Sequence, residues 1–87
     1  MLRIVYTPSF VRKCDALPPD LQDEVKERIA LFRKNPRHPS LHTHKLKGRL
    51  RGRWSFRVNY VVRIVFRYDD KETVALLAIG DHDVYKA

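Results

Sequence analysis

Two histidines, four cations and a tyrosine (His44, Lys45, Lys47, Arg57, Arg63, His82 and Tyr85) are the residues of this 87-residue chain whose types could carry a reaction. The reaction they suit is cleavage of RNA by its own 2′-hydroxyl. That attack needs a proton acceptor, cationic donors for the charge on the phosphorane, and a proton donor for the leaving oxygen. Histidine serves as acid or base near neutral pH, and arginine offers a planar fork that grips phosphate oxygens at two points. Tyr85 could stack on an unstacked base or give up a proton. Plainer readings stand beside these. His42 and His44, two apart, could ligate a metal together with His82. Lys45 and Lys47 could be solvated lysines, Tyr85 a packing residue, and His38, between Pro36 and Pro39, a loop residue. Strand alternation also sets His44 on the opposite face from Lys45 and Lys47.

The charge is segregated. The formal net charge is +8, and from Arg28 to Tyr68 there are twelve Lys or Arg residues, three of the four His, and no Asp or Glu. Such a block makes one region attractive to polyanions, whereas interleaved charge would mainly give solubility. Nucleic acid is the first candidate partner. A solvated basic face, or one neutralised by an acidic protein, is the alternative.

These residues need a scaffold, and the chain has material for one domain, 1–87, with a single core. Cys14 has no partner for an internal disulfide, and no Cys-x-x-Cys pair suggests a zinc site, so a reducing compartment is expected. No apolar run approaches the roughly 20 residues that span a bilayer, and Met1 to Tyr6 lacks a signal peptide's apolar core. A soluble cytoplasmic protein without membrane contact follows.

The element pattern is βαα followed by four strands. Residues 2–6 alternate as a strand that Thr7-Pro8 ends. Phe10, Cys14 and Leu17 line a short helix that Pro18-Pro19 stops. Leu21, Val25, Ile29 and Phe32 stripe a second helix, whose acids gather at its start and bases at its end, matching the helix dipole. From Leu41 the signal turns to β: residues 42–47, a turn at Gly48–Gly52, then 54–60, 62–68 and 73–79. The expected architecture is α+β, an antiparallel sheet with a helical hairpin on one face. Trp54, Phe56, Val58 and Tyr60 would face one side of their strand, with Trp54, Phe56, Phe66 and Tyr68 buried beneath the helices, and Arg57, Arg63 and Arg67 on the open face.

The segments His44-Lys45-Leu46-Lys47-Gly48, Trp54-Ser55-Phe56-Arg57-Val58, Arg63-Ile64-Val65-Phe66 and Ile79-Gly80-Asp81-His82-Asp83-Val84-Tyr85 resemble the RelE/ParE toxin superfamily, as do the opening strand and the helices broken at Leu17-Pro18-Pro19-Asp20-Leu21. The resemblance implies the toxin of a type II toxin–antitoxin pair and, for enzymatic members, a ribosome-dependent endoribonuclease that cuts mRNA in the A site without metal or other cofactor. It implies as partners mRNA on the ribosome, an acidic antitoxin that wraps the basic surface, and operator DNA reached through that antitoxin. Matched by position, Arg57, Arg63, His82 and Tyr85 fall on catalytic positions, with His44 added here as a second candidate base. Lys45 and Lys47 fall on the basic residues of the K-L-x-G segment, and Arg49, Arg51, Arg53 and Arg67 extend the expected RNA contacts. At the position of His82 some members carry a catalytic His and others an Arg. Two departures stand out: Val62 replaces the first Tyr of the Y-R-I-V-Y strand, and the middle of the sheet has no acid to act as base. The base is therefore open between His82 and His44. ParE-type members share the fold but inhibit DNA gyrase by binding, and an inactive nucleic-acid-binding homologue is a third alternative.

Overall fold

The computed structural model describes residues 1–86. β1 (Arg3–Tyr6) leads into α1 (Pro8–Asp15) and α2 (Pro19–Lys34), followed by β2 (His44–Lys45), β3 (Trp54–Arg57), β4 (Arg63–Tyr68) and β5 (Thr73–Gly80). Short 3₁₀ turns occupy Pro39–Leu41, Gly48–Leu50 and His82–Lys86.

Both helices begin where local chemistry allows. The Thr7 hydroxyl accepts from the Phe10 N–H at the start of α1 and donates to the Leu76 carbonyl at 2.6 Å, so one side chain caps the helix and ties it to β5. Pro8 and Pro19 occupy first-turn positions, where a missing N–H costs nothing. α2 carries Asp20 in its first turn and Arg33 and Lys34 in its last. Its end is pinned to the start of the chain: Arg33 Nε donates to the Leu2 carbonyl at 3.0 Å, and the Leu2 N–H donates to the Arg33 carbonyl at 3.1 Å.

The five strands form one sheet in the order β1-β5-β4-β3-β2. The last four are an antiparallel meander, but β1 joins β5 in parallel, so the sheet is mixed and not antiparallel throughout. Alternation of side chains is blind to strand direction. The helices lead from β1 to β2 at the opposite edge of the sheet, and β1 is joined to its parallel neighbour β5 only through the helices and three further strands, a connection long enough for either direction.

The core centres on Phe32, which is fully buried, stacks on Phe56 with centroids 4.2 Å apart and meets Phe66 edge-on at 4.8 Å. Phe10, Val25, Ile29, Leu41, Ile64, Val74 and Leu76 complete it. Two of the four aromatics expected there sit at its margin: Trp54 is half-buried and Tyr68 exposed, the two meeting edge-on at 5.4 Å.

Two local features redirect the chain. β3 stops at Arg57, not at residue 60, because the Asn59 side chain intervenes. Its Oδ1 accepts from the N–H groups of Val61 and Val62, both at 2.8 Å, and its amide donates to Glu24 at 2.6 Å. Tyr60 is consequently thrown into solvent, 88% exposed, instead of facing the core. In β5 the register slips between Val65↔Ala78 and Phe66↔Leu76, leaving Leu77 as an extra residue. The bulge inverts the alternation: Val74, Leu76 and Ile79 all point into the core, while Gly80 pairs with Arg63 on the face away from the helices.

Candidate active site

The register fixes what stands on the face away from the helices. His44 pairs with Ser55, Ser55 with Val65 and Val65 with Ala78; in the next row Arg57 pairs with Arg63 and Arg63 with Gly80. A cleft of about 450 Å³ opens there, lined by His42, Thr43, His44, Arg57, Arg63, His82 and Tyr85. Of the residues singled out from the sequence, His44, Arg57, Arg63, His82 and Tyr85 thus come together from four separate segments.

Each is held by its neighbours. His42 sits in the left-handed region (φ 49°, ψ 43°), ending the turn that begins at Pro39. Its carbonyl lies 2.8 Å from His44 Nδ1. A carbonyl can only accept, so Nδ1 carries the hydrogen, and neutral His44 has its lone pair on Nε2. Thr43 is anchored through its hydroxyl to the Pro36 carbonyl at 2.6 Å. Arg63 donates to the Val61 carbonyl at 3.1 Å, and the Arg57 guanidinium lies 5.9 Å from the centroid of the Tyr60 ring.

The C-terminal turn closes one side. Tyr85 Oη and Ser55 Oγ are hydrogen-bonded at 2.7 Å, and Ser55 is 1% exposed. The Tyr85 ring meets the His82 ring edge-on, centroids 5.2 Å apart. His82 itself remains exposed. Val65 is buried although it shares the Arg face, so that face is only partly open. Gly80 does not act as a special hinge for this approach. It lies within β5 without a left-handed φ, and a Cβ there would meet Val84 at an ordinary 3.6 Å.

The other basic residues stand elsewhere. Lys45 pairs with Trp54, and its ammonium lies 5.5 Å from the indole centroid, on the sheet face opposite His44. Lys47, Arg49, Arg51 and Arg53 are exposed on the loop between β2 and β3. Arg67 shares the Arg57 face but pairs with Asp69 at 2.8 Å. His38 caps the Pro39–Leu41 turn, its Nδ1 accepting from the Ser40 N–H at 3.2 Å. Among the described residues no three His, Cys, Asp or Glu side chains gather as metal ligands. Two groups with perturbed acidity lie away from the cleft. Burial, and then Asp15, pushes the Cys14 thiol up, and the N–H of Glu72 holds the exposed Asp70 carboxyl below its ordinary value. Ser55 and Thr43 are the site residues that sequence reasoning missed, and His42, weighed there only as a metal ligand, lines the cleft. Of these, Ser55 had a signal, a small polar residue on the alternation face of Arg57.

A helical hairpin against a mixed five-stranded sheet is the RelE-like toxin fold. No protein-family model matches the chain, and no curated protein matches its sequence. Solved structures do. The chain is similar to YafQ of Escherichia coli (TM-score 0.79, 13% identity, all of both chains covered) and to a YoeB/ParE toxin of Agrobacterium tumefaciens (TM-score 0.75, 19% identity, 93% of this chain and 99% of that one). It is also similar to a chain of the YoeB–YefM complex of Staphylococcus aureus (TM-score 0.73, 20% identity, 94% and 98% covered). No helix among the described residues is long and apolar enough to cross a membrane.

Proposed function

We propose that this chain is the toxin of a toxin–antitoxin pair and acts as an endoribonuclease, cutting messenger RNA on the ribosome through its own 2′-hydroxyl. The observation that supports the reading is the convergence of three imidazoles, two guanidinium groups and a tyrosine on one cleft. A protein that inhibits by binding alone has no use for titrating groups among phosphate donors.

In this mechanism His44 Nε2 takes the proton of the 2′-hydroxyl, and the oxygen attacks the adjoining phosphorus. Arg57 and Arg63 hold the non-bridging oxygens as charge builds on them. As the bond from phosphorus to the 5′-oxygen breaks, protonated His82 gives that oxygen its proton. The products are a 2′,3′-cyclic phosphate and a free 5′-hydroxyl. Tyr85, its hydroxyl engaged by Ser55, positions His82 and is not the proton donor. Lys45, Lys47, Arg49, Arg51 and Arg53 contribute at longer range by drawing in RNA, and an acidic antitoxin would neutralise the same surface.

The test is brief expression in growing bacteria with mapping of new RNA 5′ ends. Cuts clustered within translated codons are expected. Growth arrest with intact RNA would transfer the assignment to gyrase-type inhibition by binding.

A further inference from the structure

The cleft continues past its own rim. Arg63 and His82 also line a second depression of about 350 Å³, whose remaining walls are Tyr60, Val61, Asp81 and Asp83. The two differ in chemistry. Both share the Arg63 guanidinium and the His82 imidazole, but the inner one adds Arg57, His42 and His44, and the outer one an aromatic ring, an aliphatic side chain and two carboxylates. Tyr60 is 88% exposed and Val61 59%, yet the turn that carries them is fixed by the Asn59 side chain, which accepts two hydrogen bonds from the turn and donates one to Glu24. A ring held out in water on a rigid tip is a platform whose ordering cost is already met before anything lands on it.

Two carboxylates repel a phosphate but accept hydrogen bonds from the N–H groups of a base edge, and an aromatic ring stacks on any base. Polarity follows from the position of His82. As donor to the 5′-oxygen it stands between the nucleoside that supplies the attacking hydroxyl and the one that departs, so the departing nucleoside lies on the outer side. We propose that the outer cleft seats the nucleobase immediately 3′ of the cut, stacked on Tyr60 with its edge toward Asp81 and Asp83. The proposal rests on the endoribonuclease reading for its polarity. Tyr60 is a substrate-contacting residue in it, and Tyr85, committed to Ser55 and His82, is not the stacking platform.

The experiment is a binding cycle with the whole chain. Ribosomes are programmed with an A-site codon that is 2′-O-methylated throughout and so cannot be cut, and each base of the codon is in turn replaced by an abasic site. Tyr60→Ala is expected to weaken binding to the complete codon about 10-fold, while Tyr60→Trp retains it. At one codon position, loss of the base should shrink that penalty to about twofold or less. Asp81→Asn keeps an acceptor for the Asp83 N–H, bonded to Asp81 at 2.9 Å, and should narrow the affinity differences among the four bases at that position. An equal Tyr60→Ala penalty on every abasic codon, or none at all, overturns the proposal. Cleavage of the unmethylated codon is measured alongside. Cleavage with an additive cycle leaves the enzyme and removes the subsite, whereas a coupled cycle without cleavage leaves a base-stacking site at Tyr60 but removes the enzyme and with it the assignment to the base 3′ of a cut. No affinity of the unmutated chain for ribosomes overturns both.

Discussion

β3 and β4 present two faces that have almost nothing in common. Toward the helices they offer Phe56, Ile64 and Phe66, all 1% exposed or less, with both phenyl rings packed against Phe32. Away from the helices the interleaved residues are Ser55, Arg57, Arg63 and Val65, and the cover is a single 3₁₀ turn. The contrast explains why the cationic side chains sit where they do. A guanidinium under the helices would have to give up its water without a partner, whereas on the half-covered face Arg57 and Arg63 keep theirs and can exchange it for phosphate. One helical hairpin, too small to cover both faces, thereby creates both a core and a cationic cleft.

Breaking the helix-side face should have the largest effect. Phe32→Ala removes a ring that contacts both Phe56 and Phe66, and a change of that kind costs about 3–5 kcal/mol. Against a total of about 5–15 kcal/mol for a small domain, much or all of the stability is lost. Chemical denaturation is the measurement. A midpoint close to that of the unmutated chain would mean that the core is not organised around Phe32.

Breaking the cleft side should spare folding and stop the reaction. His82→Ala and His44→Ala are each expected to lower RNA cleavage about 10²-fold or more at nearly unchanged denaturation midpoint. Each should also erase one limb of a bell-shaped dependence of rate on pH, the acidic limb for the base and the alkaline limb for the acid. Arg57→Ala is expected to slow cleavage by lost charge stabilisation while both limbs survive, and to make the log–log dependence of binding on salt shallower by about 0.7–0.9 for the phosphate contact removed. Full cleavage by His82→Ala would exclude it as the acid, and loss of the opposite limb would exchange the two imidazole roles.

What could be read from the letters follows the same division. The stripe Leu21, Val25, Ile29 and Phe32 and the charge gradient along α2 are local signals, and the helix runs Pro19–Lys34 as they imply. β4 and β5 begin and end within a residue of the alternating run and the apolar run that announce them. The failures share a cause: a side chain or a connection overrides the pattern. Alternation continues in the letters through Tyr60, but Asn59 takes two backbone N–H groups and turns the chain. β1 looks the same in either direction, and the apolar run of β5 conceals a bulge at Leu77 because every candidate residue there is apolar. The cleft residues were legible by type, since His, Arg and Tyr carry few other chemistries. The separation of Lys45 from His44 was legible too, from strand period alone. The bond between Ser55 and Tyr85 was not, because thirty residues of sequence separate its ends.

That bond lies wholly on the cleft side, tying the C-terminal turn to β3, and cutting it should give the smallest effect of the series. Ser55→Ala removes a buried hydroxyl from the middle of β3 and leaves the half-buried Tyr85 hydroxyl to find water. A neutral hydrogen bond of this kind contributes about 1 kcal/mol, and for a domain of this size that lowers the melting temperature by about 4–8 °C. Tyr85→Phe removes the same bond from the other end while keeping the ring that meets His82 at 5.2 Å. If Tyr85 positions His82 through its ring, Tyr85→Phe should keep most of the cleavage rate and Tyr85→Ala should lose far more. The alkaline limb of the rate profile, which reports the acid, would then shift in Tyr85→Ala and stay in place in Tyr85→Phe. A rate that falls equally in both, with the profile unmoved, would instead make the hydroxyl bond the feature that matters and leave the ring contact incidental.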